Sequence, residues 1–252
     1  MDKLFLDSNV LAALGIQALR NRYLGLRHGF SEANVIELVA SYPDHAIDKW
    51  GLSDLGKSQV TSSVKKEVQR GIITSKTIIH SSDFLRARES AEIVRQISGV
   101  KEIILEAALR DRNFGSLEMK EVEDDVYKQM WLADAADATS EKWGVESAAH
   151  VMERVARLMV RLEEKYDRQT ILLVSHGDPL QMLECALSGL PASRHQEIKP
   201  FHQAEIRELV LSPSDESLLE PIDYEAEIAS RRITHQPIEE ASGEMKNSVF
   251  GV

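Results

Sequence analysis

The sequence predicts a three-layer α/β/α fold with a mainly parallel central sheet. Short apolar runs alternate along the chain with stretches whose apolar residues recur at helical spacing. This alternation is typical of parallel strands that are covered by helices on both faces. Apolar residues make up 43% of the 252 residues and charged residues 28%, a balance that can fill a core.

The first strand–helix unit begins with the run at 22–29 (RYLGLRHG), which has the length and bounding glycine of a short buried strand. A helix is predicted from Ser53 to Gly71, because valines recur at every fourth position within it. Ser53 is a favourable N-cap residue, and glycine is a common helix stop.

A second unit follows directly. The run at 76–82 (KTIIHSS) predicts a strand, and the next stretch predicts an amphipathic helix with Asp83 as its cap and Gly99 as its stop. The run at 102–109 (EIILEAAL) then predicts a third strand and its exit.

Residues 118–144 are acidic and weakly periodic, which favours an exposed insertion or a helical cap. The acidic part at 121–125 is expected to be a solvated face, with a lid over the active site as the alternative. Beyond it, apolar residues at helical spacing between Val151 and Leu162 predict a further helix.

The run at 170–177 (TILLVSHG) is the clearest strand pattern in the chain. It leads into a predicted helix with Asp178 as its cap, Pro179 at the first helical position and Gln181 where a capping box requires it. The alternating run at 205–212 predicts the last strand.

These elements indicate a single domain at 21–212. Residues 1–20 are expected to form an N-terminal helical extension, and the acidic residues 213–252 an extended or disordered tail. The N-terminus lacks the cationic region of a signal peptide, and no apolar stretch is long enough to span a membrane, so a cytoplasmic protein is expected. Cys185 is the one cysteine, so an intrachain disulfide is excluded.

The net charge of −11 argues against a nucleic-acid partner, because binding to a phosphate backbone relies on clustered Lys and Arg. Any anion site must therefore be local. Two candidate segments stand out: a His-Gly pair ends the predicted strand at 22–29, and another ends the strand at 170–177. Because ligands bind at the carboxyl ends of parallel strands, the two pairs are expected to share one crevice.

Five segments in order resemble the motifs of the histidine phosphatase superfamily, also called phosphoglycerate-mutase-like. They are LRHGFSEAN (26–34), SSDFLRARESAEIV (81–94), LRDRNFGSLE (109–118), WGVES (143–147) and LLVSHGDPLQML (172–183). An isolated RHG occurs easily by chance, whereas five motifs in order are specific. The resemblance spans 23–211 and implies a phosphoglycerate-mutase-like fold.

The resemblance implies that His28 is the nucleophile and forms a phosphohistidine, and that His176 stabilises the phosphoryl group in transfer. Neutral imidazole can attack phosphorus, and its reference pKa of about 6.5 leaves it mostly uncharged at neutral pH. Neighbouring arginines should lower that pKa further. The residues expected to bind the phosphate are Arg27, Ser31, Asn34, Arg86 and Gly177.

The family's acidic residue, a glutamate, corresponds to Asp111 in this sequence. Aspartate is one methylene shorter and has a reference pKa of about 3.9, so this pKa must rise if Asp111 is to donate a proton to the leaving group. Glu118 is the alternative donor. Phe30 also departs from the family, which often has a polar residue after RHG; an apolar ring there suggests a partly apolar leaving group.

Each candidate also has a structural reading: His28 and His176 as packed histidines, Asp111 as a turn residue, and Arg86 as a surface residue like Arg88. His80 is expected to be structural and His202 to pack. The other histidines are expected at the surface: His45, His150, His195 and His235.

The sequence thus predicts a phosphomonoesterase that acts on a small phosphate ester without a metal or other cofactor. A phosphoglycerate mutase is the first alternative, although 118–144 offers Lys120 and Lys128 among many acids and none of the paired arginines of those mutases. A non-catalytic phospho-ligand-binding or scaffold protein is the second. The sequence leaves the oligomeric state open.

Overall fold

The computed structural model describes residues 9–121 and 124–212, and in these ranges five strands form one sheet. The strands are β1 (Arg22–Arg27), β2 (Ile78–Ser81), β3 (Ile103–Leu105), β4 (Thr170–Ser175) and β5 (Ile206–Leu209). Their order is β3-β2-β4-β1-β5. Every pairing is parallel except that of β5 with β1, which is antiparallel. The predicted, mainly parallel sheet is confirmed.

Eight α-helices accompany these strands in the described residues. They are α1 (Val10–Ala13), α2 (Glu32–Val35), α3 (Pro43–Ala46), α4 (Asp54–Gln69), α5 (Leu85–Ser98), α6 (Asp124–Ala136), α7 (Ala148–Lys165) and α8 (Gly177–Leu187). Side chains alternate across β4: Ile171 and Leu173 belong to the core with α7 and α8, whereas Leu172 and Val174 belong to the core with α4 and α5. The sheet therefore lies between two helical layers, as predicted.

Strand register brings the two His-Gly pairs together. β1 and β4 are neighbours, with Arg27 opposite Ser175 in the last register position. The next backbone amide, that of His28, donates to the Ser175 carbonyl at 3.0 Å. His28 and His176 therefore leave the sheet side by side, at the carboxyl ends of parallel strands.

Two glycines fix the loop that follows His28. A Cβ atom at Gly29 would lie 2.5 Å from the Gly56 carbonyl oxygen, and one at Gly56 would lie 2.1 Å from the Phe30 carbonyl oxygen. Only glycine permits this approach of loop and helix. The predicted N-cap Ser53 is confirmed, since its Oγ accepts from the Gly56 amide at 3.1 Å.

The predicted cap of α5 is wrong. Phe84 occupies the N-cap position and makes no side-chain cap. The Asp83 carboxylate instead accepts two hydrogen bonds from Arg110, at 2.7 and 2.5 Å. The guanidinium provides a charged, bidentate partner, which is stronger than a neutral backbone amide. Gly99 ends the helix in the left-handed conformation (φ 76°), as predicted.

The predicted capping box of α8 is also wrong. His176 is the N-cap residue, Asp178 lies in the first turn, and the Gln181 side-chain amide donates to the Ile198 carbonyl at 2.7 Å. The helix follows β4 with no intervening loop, so it begins earlier than the cap pattern suggested.

The acidic stretch at 118–144 contains the packed helix α6. Met130 and Trp131 are 2% and 1% exposed, so this part is not an exposed insertion. Charged residues obscure the few apolar positions that anchor the helix. Most of the predicted lid segment, 122–125, lies outside what the structure describes in side-chain detail.

In the predicted N-terminal extension, the described residues 9–20 contain α1, whose Val10 and Leu11 are buried in the core with α7 and α8. The predicted tail at 213–252 lies outside the described residues, and the division into 1–20, 21–212 and 213–252 stays a prediction. Among the described helices, none has the length and hydropathy that a membrane crossing requires.

Candidate active site

The rings of His28 and His176 are neighbours, with centroids 5.0 Å apart and planes at 64°. His28 is 3% exposed and His176 is fully buried. His28 Nδ1 lies 2.7 Å from the Gly29 carbonyl oxygen. Since a carbonyl oxygen can only accept, Nδ1 carries the proton and Nε2 keeps its lone pair. The local backbone therefore selects the tautomer that has a nucleophilic Nε2.

Arg86, in the first turn of α5, lies at the centre of the site. Its Nε donates to His28 Nε2 at 3.1 Å and its Nη2 donates to Asp111 Oδ2 at 2.9 Å. Its buried Nη1 has no hydrogen-bond partner among the described residues. Arg88 points elsewhere and donates to the Ile47 carbonyl at 2.8 Å. Of these two arginines, Arg86 is the one beside His28 and Asp111, and its role in binding phosphate stays a prediction.

Arg27 brings a second guanidinium to the same edge of the sheet. Its Nη1 donates to the Phe201 carbonyl at 2.6 Å. A Cβ atom at Gly177 would lie 3.5 Å from the guanidinium carbon, so Arg27 packs beside the first turn of α8. A cation and the free amides of a helix N-terminus both favour an anion here.

Ser31 and Asn34 form a capping box at the start of α2. The Asn34 amide donates to Ser31 Oγ at 3.2 Å, and the Ser31 amide donates to Asn34 Oδ1 at 3.0 Å. Their local role is thus to shape the turn that begins three residues after His28.

Asp111 lies beside both Arg86 and His176. Its Oδ2 lies 3.5 Å from His176 Nδ1, in addition to its contact with Arg86. Burial raises the pKa of Asp111, and the charge of Asp178 acts in the same direction, although Arg86 opposes both. The environment therefore moves this carboxyl towards the protonated form that a general acid needs.

The carboxylate of Glu118, the alternative acid, is hydrogen-bonded to another loop. It accepts from the Ser41 amide and hydroxyl at 2.8 and 2.6 Å, and from the Tyr42 amide at 3.0 Å. Burial alone would raise the pKa of Glu118, but these hydrogen bonds outweigh it and leave the pKa lowered. An ionised carboxylate with satisfied oxygens is a poor proton donor.

Both imidazoles are held neutral. Burial is the largest cause that lowers the pKa of His28 well below its usual value, and the charges of Arg86 and Arg27 lower it further. Burial and Arg86 likewise lower the pKa of His176. The sequence indicated the arginines as the cause, whereas desolvation contributes more.

Sequence reasoning missed two residues that hold His176. Ser82 is fully buried directly after β2, and its Oγ lies 3.0 Å from His176 Nε2. The Phe84 ring meets the same imidazole at 69°, with centroids 5.4 Å apart. Both residues belong to the segment 81–94, whose polar start directly after a strand was the available signal.

The burial of the remaining histidines differs in part from the prediction. His195 is fully buried with its Nε2 3.3 Å from Asp134 Oδ2, so its surface assignment is wrong. His202 is exposed, so the expectation that it packs is wrong as well. His80 is buried beside the Tyr166 hydroxyl at 3.3 Å, a structural role as expected. His45 is partly exposed and His150 exposed, as expected, and His235 lies outside the described residues.

Asp111 also lines a cleft of about 410 Å³ beside the site. This volume is within the usual range of small-molecule sites, roughly 300–1,000 Å³. In the part of the chain that the structure describes, no group of three or more His, Cys, Asp or Glu side chains could hold a metal ion.

Comparisons with solved structures show the same fold. A mycobacterial glucosyl-3-phosphoglycerate phosphatase is 24% identical with a TM-score of 0.61, over 79% of this chain and 94% of that one. A putative α-ribazole-5′-P phosphatase from Escherichia coli is 23% identical with a TM-score of 0.58, over 74% of this chain and 89% of that one. A phosphoserine phosphatase from Entamoeba histolytica is 20% identical with a TM-score of 0.59, over 75% and 89%.

Sequence comparison gives the family. A probable phosphoglycerate mutase of Photorhabdus laumondii is 30% identical over 181 residues, which are 69% of this chain and 78% of that protein. Residues 24–223 match the model of the histidine phosphatase superfamily (branch 1), which covers the two His-Gly pairs, Arg86 and Asp111. The chain belongs to the histidine phosphatase superfamily, branch 1.

Proposed function

We propose that the protein is a phosphomonoesterase that hydrolyses a small phosphorylated metabolite through a phosphohistidine on His28. One observation carries the proposal: His28 keeps a lone pair on Nε2, 3.1 Å from Arg86 Nε and beside His176. The three structural neighbours described above all carry phosphatase names, one of them as a putative phosphatase, and these names support the same reaction type.

In the first half-reaction, His28 Nε2 attacks phosphorus, the N–P bond forms and the bond to the leaving oxygen breaks. Arg86 and Arg27 bind the phosphoryl oxygens, on which negative charge increases as the bond breaks. His176 donates to one of those oxygens. The hydrogen bond from Arg86 Nε to His28 Nε2 must break for this attack, and Arg86 then donates to the phosphoryl oxygens instead.

Asp111 supplies the proton for the leaving oxygen. The same carboxylate then removes a proton from water, which attacks the phosphohistidine, breaks the N–P bond and releases inorganic phosphate. The histidine and the acid return to their starting states. No metal ion and no organic cofactor take part in this proposal.

The test is hydrolysis of 4-nitrophenyl phosphate in excess chelator by the wild type and by His28→Ala. Release that the wild type catalyses and His28→Ala abolishes is the expected result. Turnover that persists in His28→Ala would contradict the proposed nucleophile. Tight binding of phosphate esters by both proteins without turnover would instead indicate the phospho-ligand-binding alternative.

A mutase is the second candidate, because the relatives that match over two thirds of this chain are named probable phosphoglycerate mutases. A mutase must hold a second anionic group of its substrate, and both arginines that line the cleft, Arg110 and Arg154, are already paired with carboxylates. Hydrolysis is therefore the better-supported reaction. Interconversion of monophosphoglycerates primed by a bisphosphoglycerate would establish the mutase instead.

A further inference from the structure

The leaving group of the substrate must lie in the cleft beside Asp111. A general acid has to reach the leaving oxygen within hydrogen-bond distance. Asp111 lines the cleft on one side, and its Oδ2 faces Arg86 and His176 on the other. A phosphoryl group held by these two residues therefore directs its ester oxygen, and the group attached to it, into the 410 Å³ space.

The cations of the cleft are neutralised by the protein itself. Arg110 forms a bidentate pair with Asp83, at 2.7 and 2.5 Å. Arg154 forms a bidentate pair with Glu146 at 2.9 and 3.1 Å, and it also donates to the Ala108 carbonyl at 2.7 Å. Paired arginines present little net charge to a ligand.

One acid of the cleft has no cation beside it. Glu146 is paired with Arg154, and Asp111 is paired with Arg86 and is the proposed proton donor, which leaves Glu141 as the lining acid without an ion pair among the described residues. Glu141 is exposed and lines the cleft. A carboxylate or a second phosphate on the leaving group would be repelled by Glu141, and it would find both lining arginines already paired, at a cost in binding.

We propose that the enzyme selects phosphate monoesters whose leaving group carries no negative charge, that is, a neutral or amine-bearing alcohol, and that Glu141 contributes to this selection. The proposal rests on the proposed hydrolytic function and specifies the substrate class of that site. It distinguishes this chain from enzymes that act on phosphorylated hydroxy acids. Selection of this kind works by repulsion of the wrong ligand rather than by a new contact with the right one.

Two matched pairs of esters test the proposal, and the members of each pair differ by one carboxylate. They are glycerol 1-phosphate against 3-phosphoglycerate, and phosphoethanolamine against phosphoserine. We expect kcat/KM to favour the carboxylate-free member of each pair by about tenfold or more at low ionic strength, because like charges at a binding site suppress the wrong ligand. Hydrolysis of 4-nitrophenyl phosphate is measured in parallel as a control, because its leaving group carries no carboxylate and it reports on phosphoryl transfer itself.

Charge reversal at Glu141 tests whether the cleft causes the preference for carboxylate-free esters. Glu141→Lys should reduce the ratio of kcat/KM between the carboxylate-free and the carboxylate-bearing ester of each pair. Glu102→Lys is the matched control, because Glu102 is exposed and precedes β3 at the amino end of the sheet, away from the site. It should leave the preference unchanged.

The outcomes separate the two proposals. Equal or better hydrolysis of the carboxylate-bearing esters, with 4-nitrophenyl phosphate still hydrolysed, would overturn the inference and leave the phosphatase standing. The same preference in Glu141→Lys and Glu102→Lys would overturn the role of Glu141. No hydrolysis of 4-nitrophenyl phosphate would remove the proposed function itself, and the inference with it.

Discussion

At the scale of single residues, the site depends on what each polar atom is already bonded to. The Gly29 carbonyl accepts from His28 Nδ1, so the lone pair lies on Nε2, which faces Arg86. Asp111 and Glu118 are carboxyls in the same segment with opposite surroundings, and their pKa values move in opposite directions. Environment rather than residue type therefore determines which nitrogen keeps its lone pair and which carboxyl moves towards the protonated form, and the proposed nucleophile and acid rest on these two features.

Arg86→Lys should lower kcat/KM for 4-nitrophenyl phosphate by about a hundredfold to a thousandfold, the usual effect of removing one donor to a developing anion. Lysine keeps the charge but loses the planar fork that reaches His28 and the phosphoryl group together. Arg88→Lys, two residues along the same helix, is the control and should stay within about twofold. Equal activity of the two variants would contradict the assignment of Arg86.

Asp111→Asn should reduce hydrolysis of alkyl phosphates by about a hundredfold to ten-thousandfold, the usual contribution of a general acid. Hydrolysis of 4-nitrophenyl phosphate should fall much less, because its leaving group needs little protonation. Glu118→Gln removes a carboxylate that anchors Ser41 and Tyr42, so any loss should be equal for both substrates. A larger alkyl-specific loss in Glu118→Gln would transfer the acid role to Glu118.

At the scale of elements, a buried charge cluster ties the acid segment to α6. Arg112 is fully buried, and it donates to both oxygens of Asp134 at 2.7 and 2.8 Å and to the Glu146 carbonyl at 2.6 Å. His195 lies against the same carboxylate. Because Arg112 follows Asp111 in the chain, this cluster fixes the backbone from which the acid projects.

Arg112→Met should lower the free energy of unfolding by about 3–5 kcal/mol, because it leaves the buried Asp134 carboxylate without its cation. The double variant Arg112→Met/Asp134→Leu removes both charges and should recover most of that loss. Denaturant titration of the wild type and both variants measures the effect. A single variant as stable as the wild type would show that the pair contributes nothing to stability.

Most elements of the fold were predictable, because periodicity and boundary residues are local signals. Ser53 and Gly99 mark helix ends as expected. The caps Asp83 and Asp178 were predicted wrongly, because Asp83 pairs with Arg110 and α8 follows its strand directly. The partner of Asp83 comes from another segment of the chain and leaves no local pattern, and the early start of α8 puts Asp178 inside the helix.

At the scale of the molecule, the sheet order places the two imidazoles together. β4 lies between β2 and β1, so the residues that directly follow these three strands meet at one edge: His28, Ser82 and His176. The two His-Gly pairs indicated this meeting in the sequence. Ser82 and the buried state of His195 were missed, because they depend on packing that only the assembled layers define.

The buried neutral histidines make stability depend on pH. The pKa values of His28 and His176 are lowered in the folded state, so below about pH 6.5 the unfolded chain binds more protons and stability falls as the pH decreases. Denaturant titrations at about pH 7 and about pH 5 measure the effect. Between these two pH values, the free energy of unfolding should fall less in the double variant His28→Gln/His176→Gln than in the wild type. An equal loss in both proteins would exclude the two imidazoles as its source.

The phosphoryl group is proposed to pass through His28, and trapping the phosphohistidine tests this most directly. The wild type is mixed with 4-nitrophenyl phosphate, quenched in alkali and digested with trypsin. Cleavage after Arg27, Lys49, Arg168 and Arg194 places His28 and His176 on separate peptides, 28–49 and 169–194. Fragmentation then separates His28 from His45 within the first peptide. We expect one phosphoryl group on His28, and a phosphoryl group on His176 or on any other residue instead would contradict the account.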